Sequence, residues 1–397
     1  MRRRYTIPLL ALLLVTSCVA QRPPAGNAAA DVAARISSVE TGLVSGSIAP
    51  PGSSRFTIEE RLRHYAVPGV SVAVINNGRV EWARAWGTVE AGKSNAVDTT
   101  TLFQAASISK TLTALAALRM VQDGALQLNE DVNLRLTSWK VPASQPTAVE
   151  KVTLARLLSH SAGVTVSGFP GYGTGSPIPT IVQVLRGEAP ANTSNVEVDI
   201  VPGDRVRYSG GGYTIVQLLI SDVTGKPFAD VMRDMVLVPA GMSRSTFAQP
   251  LPTERWSEAA TGHSRTGTAI SGRFYTYPEL AAAGLWTTPS DLARFAIEVQ
   301  RAFDGGTRSM LSAGLTRQML TPRSDDYGLG FAIAGAGSDR WFAHGGSNVG
   351  FRSHLVASVH GGRGAIVMTN GDRGFDLGTE VLRAIARTYD WPSHAVD

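Results

Sequence analysis

Phe103-Gln104-Ala105-Ala106-Ser107-Ile108-Ser109-Lys110-Thr111-Leu112-Thr113-Ala114-Leu115 is the stretch around which the chain is organised. From Leu112 to Met120 the residues are apolar nearly all round, the pattern of a helix inside a core. Ser107 and Lys110 stand three apart, so on a helix they share a face. A serine at the mouth of such a helix meets unpaired N–H groups and the positive end of the dipole, which favour developing negative charge. A lysine one turn later, once desolvated, can lose its proton and activate the hydroxyl. Ser-x-x-Lys is one of the serine-acylation motifs. Taken alone, the same four residues equally describe a serine cap with a lysine in the first helical turn.

Two further elements lie downstream. In Arg207-Tyr208-Ser209-Gly210-Gly211-Gly212-Tyr213 the glycines let the backbone turn sharply and approach closely. Tyr208, on a loop leading into a helix, is a candidate proton shuttle, since a phenol beside cations can exchange its proton. Its plainer reading is a packed ring beside a glycine turn. In His344-Gly345-Gly346-Ser347, expected just after an edge strand, Gly345 and Gly346 leave room for a bound chain to lie against that strand. The Ser347 backbone N–H is a candidate to act with that of Ser107 as an oxyanion hole for acyl transfer. His344 alone reads as a structural histidine.

The bulk properties set bounds. The 397 residues, 43% hydrophobic, suffice for a sizeable core, and a charged fraction of 17% excludes a disordered or coiled-coil chain. The net charge is +5, but the basic residues are scattered and no nucleic-acid motif accompanies them. A solvated basic surface is therefore the reading, with no nucleic-acid partner.

Residues 1–20 read as an export signal: Arg2-Arg3-Arg4, then an apolar run from 7 to 15 too short to span a membrane. The run ends in Val15-Thr16-Ser17-Cys18, which resembles a bacterial lipoprotein signal. Cys18, the single cysteine, would then be lipidated and hold the protein to the membrane by a lipid anchor. The other reading is an ordinary signal cleaved after Ala20. Either way the chain is expected outside the cytoplasm, in the periplasm. Residues 21–52, rich in Pro, Ala, Gly and Ser, read as a flexible tether, with a short helix over 31–39.

From 53 onward one folded unit is expected. A helix over 57–65 precedes a hairpin with strands 70–75 and 80–86 around Asn76-Asn77-Gly78. Residues 107–325 read as mainly helical, with helices over 152–159, 213–223, 228–237 and 290–303 and a long irregular loop over 164–200. After 326 strands return (327–334, 341–343, 352–359, 364–369), closed by a helix over 377–389. The economical fold is α+β: an antiparallel sheet from both chain ends (53–106 and 326–397), flanked by terminal helices, with a helical insertion over 107–325.

Together, the three elements in this order resemble the serine β-lactamase and penicillin-binding-protein superfamily, nearest the branch of class C β-lactamases, DD-peptidases and family VIII carboxylesterases. Leu157-Leu158-Ser159-His160-Ser161-Ala162-Gly163, Gly284-Leu285-Trp286-Thr287-Thr288-Pro289-Ser290-Asp291-Leu292 and Tyr327-Gly328-Leu329-Gly330-Phe331 share the likeness, which covers most of residues 55–390. The resemblance implies that Ser107 is the acylated nucleophile, Lys110 its activator, Tyr208 the proton shuttle and Ser347 the second oxyanion donor, with no metal and no cofactor. His344 stands where the family's Lys-Thr-Gly lysine is usual, and its charge depends on its surroundings. Gly210 stands at the asparagine of the Tyr-x-Asn motif, at the substrate-binding position. Both departures lean toward ester or unusual amide substrates.

The expected function is an exported serine hydrolase cleaving an ester or amide through a Ser107 acyl-enzyme. A β-lactamase, a D-amino-acid peptidase acting on peptidoglycan fragments, and a catalytically silent cell-wall or β-lactam-binding protein are the alternatives.

Overall fold

The computed structural model describes residues 25–46, 53–323 and 326–396. Residues 1–20 and Cys18, and with them the export and lipidation readings, lie outside the described residues.

Thr57 opens the helix Ile58–Tyr65 with a capping box: its hydroxyl accepts from Glu60 N (3.1 Å) and its own N–H donates to the Glu60 carboxylate (2.7 Å). The chain runs through α1 (Ala25–Glu40), α2 (Ile58–Tyr65), β1 (Gly69–Asn76) and β2 (Arg79–Gly87). The β1–β2 turn puts Asn77 and Gly78 at φ 52° and 69°, the doubly left-handed geometry that Asn-Gly supplies. A two-residue strand, β3 (Phe103–Gln104), pairs with β4 (Trp286–Thr287). The helical middle comprises α3 (Ser109–Gln122), α4 (Gln145–Val149), α5 (Leu154–Leu158), α6 (Ile181–Arg186), α7 (Gly210–Thr224), α8 (Phe228–Met232), α9 (Leu280–Ala283), α10 (Pro289–Phe303) and α11 (Ala313–Met319). The sheet is completed by β5 (Ala332–Ala334), β6 (Trp341–Asn348), β7 (Phe351–Ser358) and β8 (Gly364–Thr369), and α12 (Gly374–Thr388) follows.

The six-stranded sheet has the order β2-β1-β8-β7-β6-β5, every neighbouring pair antiparallel. Its alternation separates two cores. Val70, Val72, Val74, Ala365 and Val367 face α2 and α12, whereas Ala73, Ile75, Ile366 and Met368 face the helical middle. The expected α+β sheet from both chain ends is present, with one difference. The inner face is covered by α10, from the middle of the chain, and not by a terminal helix. An apolar helix side at that position fits Ala73, Ile75, Ile366 and Met368 whatever its place in the sequence.

A second difference lies at the start. Residues 31–44, expected within a flexible tether, pack on the body: α1 lies on α12, and Val39 and Leu43 are fully buried. Their apolar spacing is sparse, and only the partner helix far along the chain gives it meaning.

Two buried carboxylates behave in opposite ways. Glu380 on α12 takes both Arg61 Nε (2.7 Å) and Nη2 (2.6 Å), and the Tyr65 hydroxyl donates to it at 2.6 Å. Burial, then Glu380, pushes the Tyr65 phenol up to about 12. Glu279, just before α9, is fully buried, and neither carboxyl oxygen has a hydrogen-bond partner among the described residues. Burial pushes its carboxyl up to about 7. Because the folded value is raised, Glu279 contributes most stability below the ordinary carboxyl range and loses it as pH rises toward 7.

Glu380→Ala, which strands a buried guanidinium, is expected to cost about 3–5 kcal/mol in chemical denaturation, and Arg61→Met with Glu380→Leu together less than that. Glu279→Gln is expected to stabilise the chain at pH 8, with the gain shrinking as the pH falls through 5. An equal effect at both pH values contradicts the raised carboxyl.

Candidate active site

Ser107 is the middle residue of a single 3-10 turn, Ala106–Ile108, between β3 and α3. The turn requires Ala106 at φ 50°, a left-handed conformation that costs a non-glycine residue on the order of 1 kcal/mol. Neighbouring groups hold it there. The Ala105 carbonyl accepts from Ser353 Oγ (2.8 Å), and Ser109 Oγ donates to the Ala106 carbonyl (2.6 Å) while accepting from Leu285 N (3.0 Å). Ala105 N donates back to the Leu285 carbonyl (2.9 Å).

Lys110, in the first turn of α3, is 2% exposed. Its Nζ donates to Ser107 Oγ at 3.0 Å and to the Ala282 carbonyl of α9 at 2.8 Å. It has no carboxylate partner among the described residues. The predicted pairing of Ser107 with Lys110 is therefore present as a direct contact.

Tyr208 brings its ring to 5.0 Å from Lys110 Nζ and stays 37% exposed. It precedes α7, whose N-cap is Ser209: the Ser209 hydroxyl accepts from Gly212 N (2.9 Å) and donates to the Thr165 carbonyl (2.7 Å). Gly210 N and Gly211 N donate to the Ser167 and Val166 carbonyls (3.0 and 2.9 Å). The loop thus lies directly on the start of α7. A Cβ at Gly210 would stand 2.8 Å from the Phe169 ring. Gly210, expected to bind substrate, is buried under Phe169 and does not line the cleft. A side chain at the asparagine position of the motif would have to displace the Phe169 ring.

His344 to Ser347 lie within β6, and not after it as expected. Glycines are poor strand formers, so the sequence pattern fades where the strand continues. The edge strand β5 pairs only with Trp341, Phe342 and Ala343. Beyond them β6 has a strand partner on one side only, β7, and packs against the Ser107 turn. Gly346 is what allows this: a Cβ there would stand 2.1 Å from the Ala105 carbonyl oxygen. Gly346 is thus a packing contact behind Ser107, whereas Gly345 and Ser347 line the cleft. Asn348 Nδ2 ties the end of β6 to Gln104 Oε1 (2.8 Å) and the Ala283 carbonyl (3.2 Å).

His344 Nδ1 lies 2.6 Å from the Gly345 carbonyl, so Nδ1 carries the hydrogen and Nε2 a lone pair. Burial, then the charge of Lys110, lowers this imidazole to about 3. His344 is neutral at physiological pH and supplies no cation.

These groups meet in a cavity of about 380 Å³ lined by Ser107, Tyr208, His344, Gly345 and Ser347, closed by Tyr327, Ala332 and Phe375. None of the lining residues is cationic. A larger hollow of about 540 Å³, beside Lys151, Arg156 and Arg323, is also lined by Ser159 and Ser161, but Ser159 Oγ donates to the Ala155 carbonyl (2.9 Å) and lies 2.9 Å from Ser161 Oγ, while Lys151 Nζ donates to the Thr147 carbonyl (3.0 Å). Sequence reasoning gave no role to Tyr327 or Phe375. Tyr327 stands in a motif noted above, while Phe375 comes from α12 and carries no local signal.

The model of the Beta-lactamase family matches residues 55–390. Penicillin-binding protein 4 of Amycolatopsis lactamdurans is 28% identical over 350 residues, 82% of this chain and 86% of that protein. Protein flp of Staphylococcus aureus strain N315 is 27% identical over 233 residues, 59% of this chain and 44% of that protein. The chain thus spans less than half the length of the staphylococcal relative. Among solved structures, the octameric penicillin-binding protein homologue from Pyrococcus abyssi superposes with a TM-score of 0.69 at 23% identity, over 85% of this chain and 77% of that one. The D-amino acid amidase from Ochrobactrum anthropi SV3 superposes with a TM-score of 0.67 at 21% identity, over 90% and 99%. Both structures carry the same fold. With a family model spanning residues 55–390 and the serine–lysine contact within them, this chain belongs to the Beta-lactamase family.

Proposed function

We propose that the chain is a serine hydrolase that cleaves an ester or a neutral amide through an acyl-enzyme on Ser107. The observation that carries this reading is the 3.0 Å contact between Lys110 Nζ and Ser107 Oγ at the edge of an open cavity. In the proposed reaction Ser107 Oγ attacks the substrate carbonyl carbon, and Lys110, once it has released a proton, takes the serine proton. Tyr208 delivers a proton to the leaving group. The carbonyl oxygen, now negative, lies toward the backbone N–H groups of Ser107 and Ser347. Collapse of this intermediate breaks the bond to the leaving group, and water then releases the acyl group with the protons moving in reverse.

The substrate preference rests on charge and space. Among the described residues no cation lines the cavity and His344 is neutral, so an anionic carboxylate beside the scissile bond finds no partner from them. Phe169 over Gly210 leaves no side chain to receive an amide substituent on the acyl part. Both support esters and neutral amides ahead of β-lactams and carboxylate-ended D-peptides. The signal-like residues 1–20 support a place of action outside the cytoplasm, with Cys18 as the lipid attachment point.

Turnover of a short-chain nitrophenyl ester is expected to fall at least about a thousand-fold in Ser107→Ala and about a hundred-fold in Tyr208→Phe. Undiminished turnover in Ser107→Ala contradicts the reading. Rapid loss of penicillin with no ester turnover replaces it with a β-lactamase, and saturable binding of wall fragments without any turnover replaces it with a binding protein.

A further inference from the structure

The Leu157–Gly163 segment plays no part in the acylation scheme, yet its His160 brackets Tyr208 from behind. The His160 carbonyl accepts from Arg207 N at 2.8 Å. Its ring Nδ1 accepts from Ser209 N at 3.1 Å. The residues on both sides of Tyr208 are thus held by one side chain and its own backbone. Between these bonds the imidazole packs on the Tyr208 phenol, with ring centroids 4.3 Å apart and planes 40° apart.

His160 adopts φ 58° as the left-handed residue that ends α5, where His160 N donates to the Leu157 carbonyl (3.3 Å) and Ser161 N to the Arg156 carbonyl (2.9 Å). The ring is also confined to one state. Accepting at Nδ1 places the hydrogen on Nε2, which is buried and has no hydrogen-bond partner among the described residues. Burial first, then the charge of Lys110, holds the imidazole neutral. A protonated ring would lose the lone pair that receives Ser209 N–H. Tyr213 and Tyr327, with centroids 5.3 and 4.9 Å away, close the box around it.

We propose that His160 is a positioning residue for Tyr208: its carbonyl, its Nδ1 lone pair and its ring face together set the phenol beside Lys110 and Ser107. The inference rests on the reading of Tyr208 as the proton-transfer group. His160 itself touches neither substrate nor the nucleophile in this scheme. Its effect is therefore expected in kcat and not in KM, and only through Tyr208.

The test compares His160→Asn and His160→Phe, each alone and combined with Tyr208→Phe, on a short-chain nitrophenyl ester. Asparagine tolerates the left-handed backbone and offers an oxygen to Ser209 N–H, but removes the ring face. Phenylalanine keeps a ring face and removes the acceptor. Each is expected to lower kcat about ten- to a hundred-fold, the scale of an ångström-sized misplacement, with KM nearly unchanged. Each double variant is expected to be no slower than Tyr208→Phe alone. An unchanged kcat in His160→Asn overturns the proposal, as does a loss that multiplies fully with that of Tyr208→Phe. If His160→Phe does not fold, His160→Asn decides the matter by itself. Ester turnover abolished by Ser107→Ala but indifferent to His160 sinks this inference alone; no turnover and no Ser107 labelling by a fluorophosphonate in the unaltered chain remove the hydrolase reading with it.

Discussion

A lysine side chain buried with no acid beside it among the described residues is the constraint on which this structure turns. Taking an ammonium group out of water is expensive unless it is paired. Lys110 is 2% exposed, and among the described residues its Nζ bonds to the Ser107 hydroxyl and the Ala282 carbonyl and lies 5.0 and 5.8 Å from the Tyr208 and Tyr213 rings. Much of the surrounding architecture keeps that arrangement. The carbonyl comes from α9, whose own position depends on Gln217, which accepts from Ala281 N and donates to the Pro278 carbonyl. The hydroxyl comes from a strained turn stitched to Leu285 and Ser353. Two imidazoles close by, His160 and His344, are held neutral by burial and by the lysine itself. The site thus gathers lone pairs and phenols around one amine and keeps other charges out.

Close backbone approach is the second theme. Gly346 brings β6 against the Ala105 carbonyl, and Gly210 and Gly211 bring the 165–169 loop against α7. In each place a methyl group would overlap its neighbour, so these glycines report contact between main chains. The freedom of glycine to turn is the lesser reason for their presence. The same contacts set the shape of the cavity, because they fix how near β6 and Tyr208 stand to Ser107.

Much of this was legible in the sequence because it is local or ordered along the chain. The Ser107–Lys110 pair, the Tyr208 loop and the His344 strand are each short motifs. The hairpin turn at Asn77-Gly78 and the capping of α2 follow from neighbouring residues alone. What escaped depends on partners distant in sequence. Phe169 covers Gly210 across the long loop, Phe375 reaches the cleft from α12, and α1 packs on a helix some three hundred residues away. The tautomers of His160 and His344 are set by Ser209 N–H and the Gly345 carbonyl, and no pattern of residue types announces them. His160 stood in a visible motif, but its bracketing of Tyr208 required the fold.

The central claim is that Ser107 is an acylated nucleophile. It is tested most directly by intact-mass measurement of residues 21–397 after reaction with a fluorophosphonate, followed by peptide mapping. The account predicts one adduct, on the peptide containing Ser107, absent from Ser107→Ala. An adduct on another residue, or equal labelling of Ser107→Ala, would contradict it.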